Sequence, residues 1–537
     1  MPPRRASFRF LSPFLPVVCA ICLWASSVQA QSSVTLSITN SPGYAIPSDF
    51  IGLSFGTQTS AQIFSATNAQ LINLFQQIGI KNLRLMGDEQ NKHTTNLLGF
   101  IQAEGSLNLI YGVTLTNLSQ ATNTAALIWT NGFGSLKCFE IGNEPDWTSA
   151  NNGTTEGPNI TNYASFLAAW RSNAAGMLSV APGAVFEGMD TGGNYDNGPP
   201  DKSNGVWENN GTEWTTNFAR DEKNSGIVTL ITQHTYMADM LPGGVIITNA
   251  PTLIAAMLSP GWDNVTNQIL YNVMGKPVLA NGLPYRFTEA NEITGGITNA
   301  SNAFAAALWA LDFMHWWAAH GISGINFHNQ AWIPTDTLYL DSKGNFRVNP
   351  KAYGIKAFDV GTHGSIEPMS MVNSAGLNLT AYATGDETNL YVTIINREYG
   401  TGARDASVTM TLTGFNAGNV NAMYLTSANG IGATNGVTLG GSTITNNAPW
   451  LGQWTALGFA TNNQCTVTAP ATSAVIVKIA AAPEILSVQS AGQINWSYGM
   501  LQSATNVAGP YNDVSNISSP YTMPMTNGQL FYRVREN

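Results

Sequence analysis

Phe139-Glu140-Ile141-Gly142-Asn143-Glu144-Pro145-Asp146 and Tyr285-Arg286-Phe287-Thr288-Glu289-Ala290-Asn291-Glu292 each carry an apolar strand that gives way to a polar loop, with a glutamate at the changeover. Apolar runs of the same kind occur at 50–55, 82–86, 107–113, 136–142, 184–188, 227–233, 285–289 and 322–327. Longer helix-like stretches separate these runs, which is the pattern of a parallel sheet wrapped by helices. Eight such strands close a (β/α)8 TIM barrel over 50–350. The clearest helix is expected at 302–320, where Ser301 caps, Gly321 stops, and Phe304, Leu308, Leu311, Met314 and Trp317 repeat at helical spacing. Its Trp309, Trp316 and Trp317 are expected to pack against the sheet rather than bind a ligand.

After Tyr353 the texture becomes short alternating strands with Gly, Asn and Thr turns, which predicts a β-sandwich over 351–480. The segment 31–49 contains an alternating strand, Ser33 to Thr39, that is expected to join that sandwich. A break at Ala480-Ala481-Ala482-Pro483 introduces a small extra β module at 484–537, which at about fifty residues is small for an independent core. The fold class is thus α/β, a barrel followed by a sandwich and a minor β module.

Residues 1–30 have the layout of a secretory signal: Arg4, Arg5 and Arg9, an apolar run from Phe10 to Trp24, then Val28-Gln29-Ala30, with cleavage expected after Ala30. That predicts a secreted or periplasmic protein. Of the four cysteines, Cys19 and Cys22 fall in the signal, and Cys138 and Cys465 fall in different domains, so free thiols are expected. No other apolar stretch is long enough to span a bilayer. The formal charge of −10, more negative once the signal arginines are removed, does not suit nucleic acid or an acidic membrane. Charged residues are only 10% of the chain while there are 14 Trp and 17 Tyr, a composition that fits carbohydrate, whose hydroxyls pair with neutral polar groups and whose rings pack on aromatic faces. Oligomeric state is left open.

In a β/α barrel the reacting groups sit at the C-terminal ends of the strands. Glu144 follows the fourth run and Glu289 ends the seventh, so the two face each other across the barrel mouth. Glycoside hydrolysis needs one carboxyl group to protonate the leaving oxygen and another to attack the anomeric carbon, ~5–5.5 Å apart when configuration is retained. Retention is predicted, with Glu144 as acid/base and Glu289 as nucleophile. Asn143 is placed to hold the hydroxyl beside the reacting carbon. Glu140 and Glu292 are the rival carboxylates, the first within strand four and the second in a loop, where it is placed to meet substrate hydroxyls. The six histidines show no metal-ligand spacing, and no phosphate loop or nucleophile elbow follows a strand, so no metal or cofactor is expected.

Over about 33–480 the chain resembles glycoside hydrolase family 79, the β-glucuronidase and heparanase-like group. The resemblance rests on Phe50-Ile51-Gly52-Leu53-Ser54-Phe55, Leu83-Arg84-Leu85, Glu140-Ile141-Gly142-Asn143-Glu144-Pro145-Asp146, Gln233-His234-Thr235-Tyr236, Phe287-Thr288-Glu289-Ala290-Asn291, Gly295-Gly296 and Asn326-Phe327-His328. It implies Glu144 and Glu289 as the catalytic pair, with Tyr236 bonded to the nucleophile and Arg84 supporting it electrostatically. It also implies that the loops after strands seven and eight, here with Gly295, Gly296, His328 and Trp332, meet the sugar of a β-linked glucuronide. An aromatic residue expected near Thr294 is missing and Gly56 stands where relatives carry a charge, so a neutral β-glycoside stays as an alternative. From another class, a non-catalytic carbohydrate-binding protein on the same fold is the second alternative.

Overall fold

The computed structural model describes residues 32–537 apart from 57–62, 87–90, 132–133, 147–159, 161, 193–209, 241–245, 483–484, 490–491, 497–498, 516, 525–528 and 536–537. The expected signal segment lies outside the described residues. After β1 (Ser32–Thr39) come the eight strands of a closed parallel barrel: β2 (Ile51–Phe55), β3 (Asn82–Leu85), β4 (Asn108–Val113), β5 (Leu136–Ile141), β6 (Phe186–Thr191), β7 (Val228–Tyr236), β8 (Tyr285–Asn291) and β9 (Gly324–His328). Strands β2, β3, β6, β8 and β9 are buried at every position, as strands with helices outside and a filled barrel inside must be.

Polar side chains fill both ends of the barrel. At the N-terminal end Arg286 donates to Asn326 Oδ1 (2.7 Å) and to the Asp49 carbonyl (3.0 Å), and Lys137 reaches Asp49 at 2.6 Å. The guanidinium lies so close to β9 that a side chain at residue 324 would meet Arg286 Nη1 at 2.0 Å, which is why Gly324 stands there.

Helix Phe304–Ala319 is buried along nearly its whole length, so its apolar residues are not confined to one stripe. It packs on the barrel through Phe287 and Phe327 and on the sandwich through Asp312, which accepts from Arg397 (2.6 Å), Thr380 (2.6 Å) and Tyr382 (2.9 Å). Trp309, Trp316 and Trp317 are all packing residues. Ser301 does not cap this helix; its hydroxyl accepts from the Ile297 N–H (2.8 Å). The first amides, of Phe304 and Ala305, donate instead to the carbonyls of Ala433 and Ile431, so a sandwich loop supplies the cap.

The hairpin of β10 (Leu338–Leu340) and β11 (Phe346–Val348) leads into helix Lys351–Gly361 and the sandwich. The sandwich strands are β12 (Ser365–Ile366), β13 (Met369–Val372), β14 (Leu379–Gly385), β15 (Asn389–Asn396), β16 (Ala406–Thr413), β17 (Ala417–Ser427), β18 (Val437–Leu439), β19 (Thr455–Phe459), β20 (Gln464–Ala469) and β21 (Ser473–Ala481). One sheet has the order β13-β1-β16-β20, with β1 parallel to β16, and the other runs β12-β14-β15-β21-β17-β18, with β19 also paired to β17. Val34, Leu36 and Ile38 alternate inward from β1 onto the same core as Val392, Ile394, Val475 and Val477. The last segment forms two three-stranded sheets around Ile494, Trp496 and Leu501. Cys138 and Cys465 are free thiols.

Lys351, wholly buried, ties this helix to the barrel mouth by donating to Glu292 Oε2 (2.7 Å), Asn291 Oδ1 (2.8 Å) and the Thr335 carbonyl (2.6 Å). Glu292 is equally buried and also accepts from Thr335 (2.7 Å), so it is a structural ion-pair partner and not a loop carboxylate open to substrate. Lys351→Met is expected to cost about 3–5 kcal/mol by stranding the Glu292 charge, read as a lowered melting temperature.

Candidate active site

Six of the residues singled out in the sequence converge at the C-terminal end of the barrel: Arg84 from β3, Asn143 and Glu144 after β5, Tyr236 closing β7, Glu289 on β8 and His328 closing β9. Glu144 leaves β5 through Gly142 (φ 88°) and itself adopts φ 49°, a left-handed conformation costly for a residue with a Cβ. The Glu144 N–H donates to the Asp190 carbonyl at 2.9 Å, which pins this turn to β6. The glutamate side chain is thereby aimed back over the barrel axis, toward Glu289.

Glu289 is 5% exposed and held at both oxygens. Arg84 Nη1 donates to Oε1 at 2.6 Å and the Tyr236 hydroxyl donates to Oε2 at 2.7 Å. Burial works against its ionisation, but the charges of His234, His328 and Arg84 and the Tyr236 bond outweigh it and hold the carboxyl down at about 2. Glu289 is therefore a carboxylate across the neutral range.

Arg84 is wholly buried and acts on the glutamates from beneath. Besides Glu289 it grips Glu140 through Nε (2.6 Å) and Nη2, and its Nη2 donates to Asn143 Oδ1 at 2.8 Å, which fixes the rotation of that amide. Glu140 is thus the bidentate anchor of Arg84, 1% exposed and out of reach of a substrate. Removing it would leave the guanidinium free to swing away from Glu289.

His234, which in the sequence stands out only as a neighbour of Tyr236, lies between the two glutamates. Its Nδ1 is 2.7 Å from Glu144 Oε1 and 3.7 Å from Glu289 Oε2, and its Nε2 is 3.4 Å from Asp190 Oδ1. Burial disfavours the imidazolium, but Glu289, Asp190 and Glu144 together push it up to about 10. One oxygen of Glu144, one of Glu289 and a ring nitrogen of His234 lie within 4.8 Å of one another. Glu144 is hydrogen-bonded to His234 in this group, and Glu289 to Arg84 and Tyr236.

His328 Nδ1 is 3.4 Å from Glu289 Oε1 and its Nε2 is 3.3 Å from the Gln330 amide; burial lowers its pKa. Gly295 and Gly296, in the left-handed region at φ 71° and 76°, turn the loop after β8, whose Thr294 N–H is held by Asp239 (2.9 Å). A side chain at residue 296 would meet the Thr335 N at 2.5 Å, so Gly296 serves packing against the next loop. Trp332 stands 52% exposed on the loop after β9. Of the described cations that touch the C-terminal ends of the strands, Arg84 and Lys351 are both buried and taken by carboxylates.

This fold recurs in solved glycosidases. The 4-O-α-L-rhamnosyl-β-D-glucuronidase of Fusarium oxysporum 12S superposes with a TM-score of 0.60 at 18% identity, covering 82% of this chain and 99% of that one. The family 51 arabinofuranosidase of Xanthomonas axonopodis pv. citri gives 0.58 at 14% identity, covering 84% and 100%. The family 44 xyloglucanase of Paenibacillus polymyxa gives 0.56 at 11% identity, covering 84% and 100%. Residues 381–476 match the model of the glycosyl hydrolase family 79 C-terminal beta domain. That match identifies the segment as a domain of the kind that follows the barrel in family 79 glycosyl hydrolases, and together with the shared fold it supports a glycoside hydrolase. No curated protein sequence matches the chain. Among the described residues no helix is long and apolar enough to cross a membrane.

Proposed function

We propose that the protein is an exported, retaining glycoside hydrolase that cleaves β-linked glucuronides or glucuronic-acid-containing glycans. The observation that carries the mechanism is the closeness of Glu144 and Glu289: one oxygen of each lies within 4.8 Å of the other, which supports a retaining pair at ~5–5.5 Å over an inverting pair at ~6.5–9.5 Å. Glu289, ionised and aimed by Arg84 and Tyr236, attacks the anomeric carbon while Glu144 protonates the departing oxygen. The resulting ester to Glu289 removes the negative charge beside Glu144. Glu144, now a carboxylate next to the His234 cation, takes a proton from water as that water opens the ester. Asn143, oriented by Arg84, is placed to bind the hydroxyl next to the reacting carbon.

The uronate assignment draws on the family 79 domain match and on the glucuronidase among the structural neighbours. The neutral β-glycoside reading is favoured by a different observation: Arg84 and Lys351 are both committed to buried carboxylates, so neither is available to a sugar carboxylate. Hydrolysis of paired chromogenic β-glucuronide and β-glucoside separates the two. Glucuronide cleavage releasing first the β-anomer by proton NMR is the expected result. Glucoside cleavage alone overturns the substrate, and first release of the α-anomer overturns the mechanism.

A further inference from the structure

Beneath the catalytic pair lies a second carboxylate group that the mechanism does not use. Glu187 and Asp190, both on β6, are 0% exposed, and one oxygen of each lies within 4.8 Å of an oxygen of Glu140. Two threonines clamp them from the neighbouring strands: Thr232 of β7 donates to Glu187 Oε2, and Thr288 of β8 donates to Asp190 Oδ1. The other oxygen of each, Glu187 Oε1 and Asp190 Oδ2, is buried without a protein donor, and His234 Nε2 is buried without a hydrogen-bonded acceptor. Two bare carboxylates cannot share such a space. A single proton on Glu187 resolves it by giving the orphaned Asp190 oxygen a donor.

Asp190 touches the acid/base apparatus in two ways. Its backbone carbonyl accepts the Glu144 N–H at 2.9 Å, and its carboxyl faces His234 Nε2 at 3.4 Å, on the side of the ring opposite Glu144. We propose that Asp190 is the positioning residue of the acid/base: a carboxylate held by neutral Glu187, it keeps the His234 ring charged and pressed against Glu144 from below. This rests on the hydrolase reading above only for what the pressure on Glu144 achieves. The charge balance agrees with it. Burial and the neighbouring Asp190 carboxylate push Glu187 far above the ordinary carboxyl range; burial opposes ionisation of Asp190 too, but Glu187, His234 and Arg84 hold it well below that range. The groups facing Asp190 are Arg84 from β3, Cys138 and Glu140 from β5, Glu187 from its own strand and His234 from β7; Glu144, Glu289 and His328 face His234 from above.

Two variants of the full chain test this. In Asp190→Asn the His234 ring loses its lower partner. Its titration, followed by nitrogen-15 NMR of the labelled imidazoles and assigned with His234→Gln, is expected to fall from about 10 by more than ~1 pH unit. Turnover of substrates with poor leaving groups is expected to fall ~100-fold in kcat with KM little changed, the size of a misaligned catalytic group. In Glu187→Gln the amide accepts from Thr232 and donates to Asp190 as the neutral acid does, so turnover within about threefold of wild type and an unmoved His234 titration are expected. An unmoved titration in Asp190→Asn overturns the proposal, as does a Glu187→Gln variant as impaired as Asp190→Asn. Loss of activity on chelation, restored by a divalent cation, overturns it as well, because the three carboxyls would then hold a metal and not a proton. Since the NMR titration needs no turnover, a wild-type protein inactive on every glycoside sinks the hydrolase reading while the titration still decides this one.

Discussion

Glu289→Gln is expected to abolish glycoside cleavage, with kcat lower by on the order of 10⁴ or more, because an amide in that place cannot form the glycosyl ester. The variant keeps the shape of the site: the amide oxygen still accepts from either Arg84 or Tyr236, which contact the two Glu289 oxygens at 2.6 and 2.7 Å. Full activity in this variant would pass the nucleophile's task elsewhere, and the structure offers no easy heir. Glu140 is locked to Arg84, and Glu292 is locked to Lys351. The same substitution carries a second, independent readout. The Glu289 carboxyl sits at about 2 in the folded protein, against about 4.3 for an unfolded glutamate. A depressed carboxyl contributes stability that is fully present above the unfolded value and is lost as pH falls toward the folded one. Melting temperature followed from pH 5 down to pH 2 should therefore drop less steeply in Glu289→Gln than in the parent. Equal slopes would mean that Glu289 is not held as a carboxylate by Arg84, His234 and His328.

The fold was legible because a parallel barrel writes itself as apolar runs, and the runs found the barrel strands. The ends of those runs were harder to place, and the site lies at the ends. The fifth apolar run ends at 188 and the sixth at 233, whereas β6 extends to Thr191 and β7 to Tyr236. Both extensions consist largely of polar residues that a hydrophobic pattern assigns to loop. Asp190, Thr191, His234 and Thr235 are nevertheless 0% exposed, because at the C-terminal end of the barrel the interior is filled by a hydrogen-bonded polar layer instead of apolar side chains. Glu140 illustrates the same point from the other side. Its place one strand residue before Ile141 marks it as a rival to Glu144, and only the burial of Arg84 between Glu140 and Glu289 shows that the residue anchors the arginine paired with Glu289. Ser301 failed as a helix cap for a related reason. The helix starts against the sandwich, where backbone carbonyls of residues 431 and 433 are at hand, a contact between segments more than a hundred residues apart.

Glu144→Gln separates the two halves of the proposed reaction. For an alkyl or sugar leaving group the departing oxygen needs a proton, and removing the donor is expected to lower kcat/KM by ~10²–10⁴. A dinitrophenyl glycoside leaves as a stable anion without that proton, so the Glu289 ester still forms at nearly the parental rate. Opening the ester then lacks its base. The intermediate accumulates, and rapid mixing should show a burst of dinitrophenolate equal to the enzyme present, followed by slow turnover. Azide, a nucleophile that needs no base, enters where the Glu144 carboxylate stood; that side chain is 25% exposed, which gives the anion a path. It is expected to restore turnover and to yield a glycosyl azide of the same anomeric configuration as the substrate, since two inversions at one carbon amount to retention. An azide product of inverted configuration would mean that no ester to Glu289 forms. Absence of a burst, with every leaving group slowed alike, would instead assign Glu144 to binding and leave proton donation to another group, of which His234, 2.7 Å away, is the nearest.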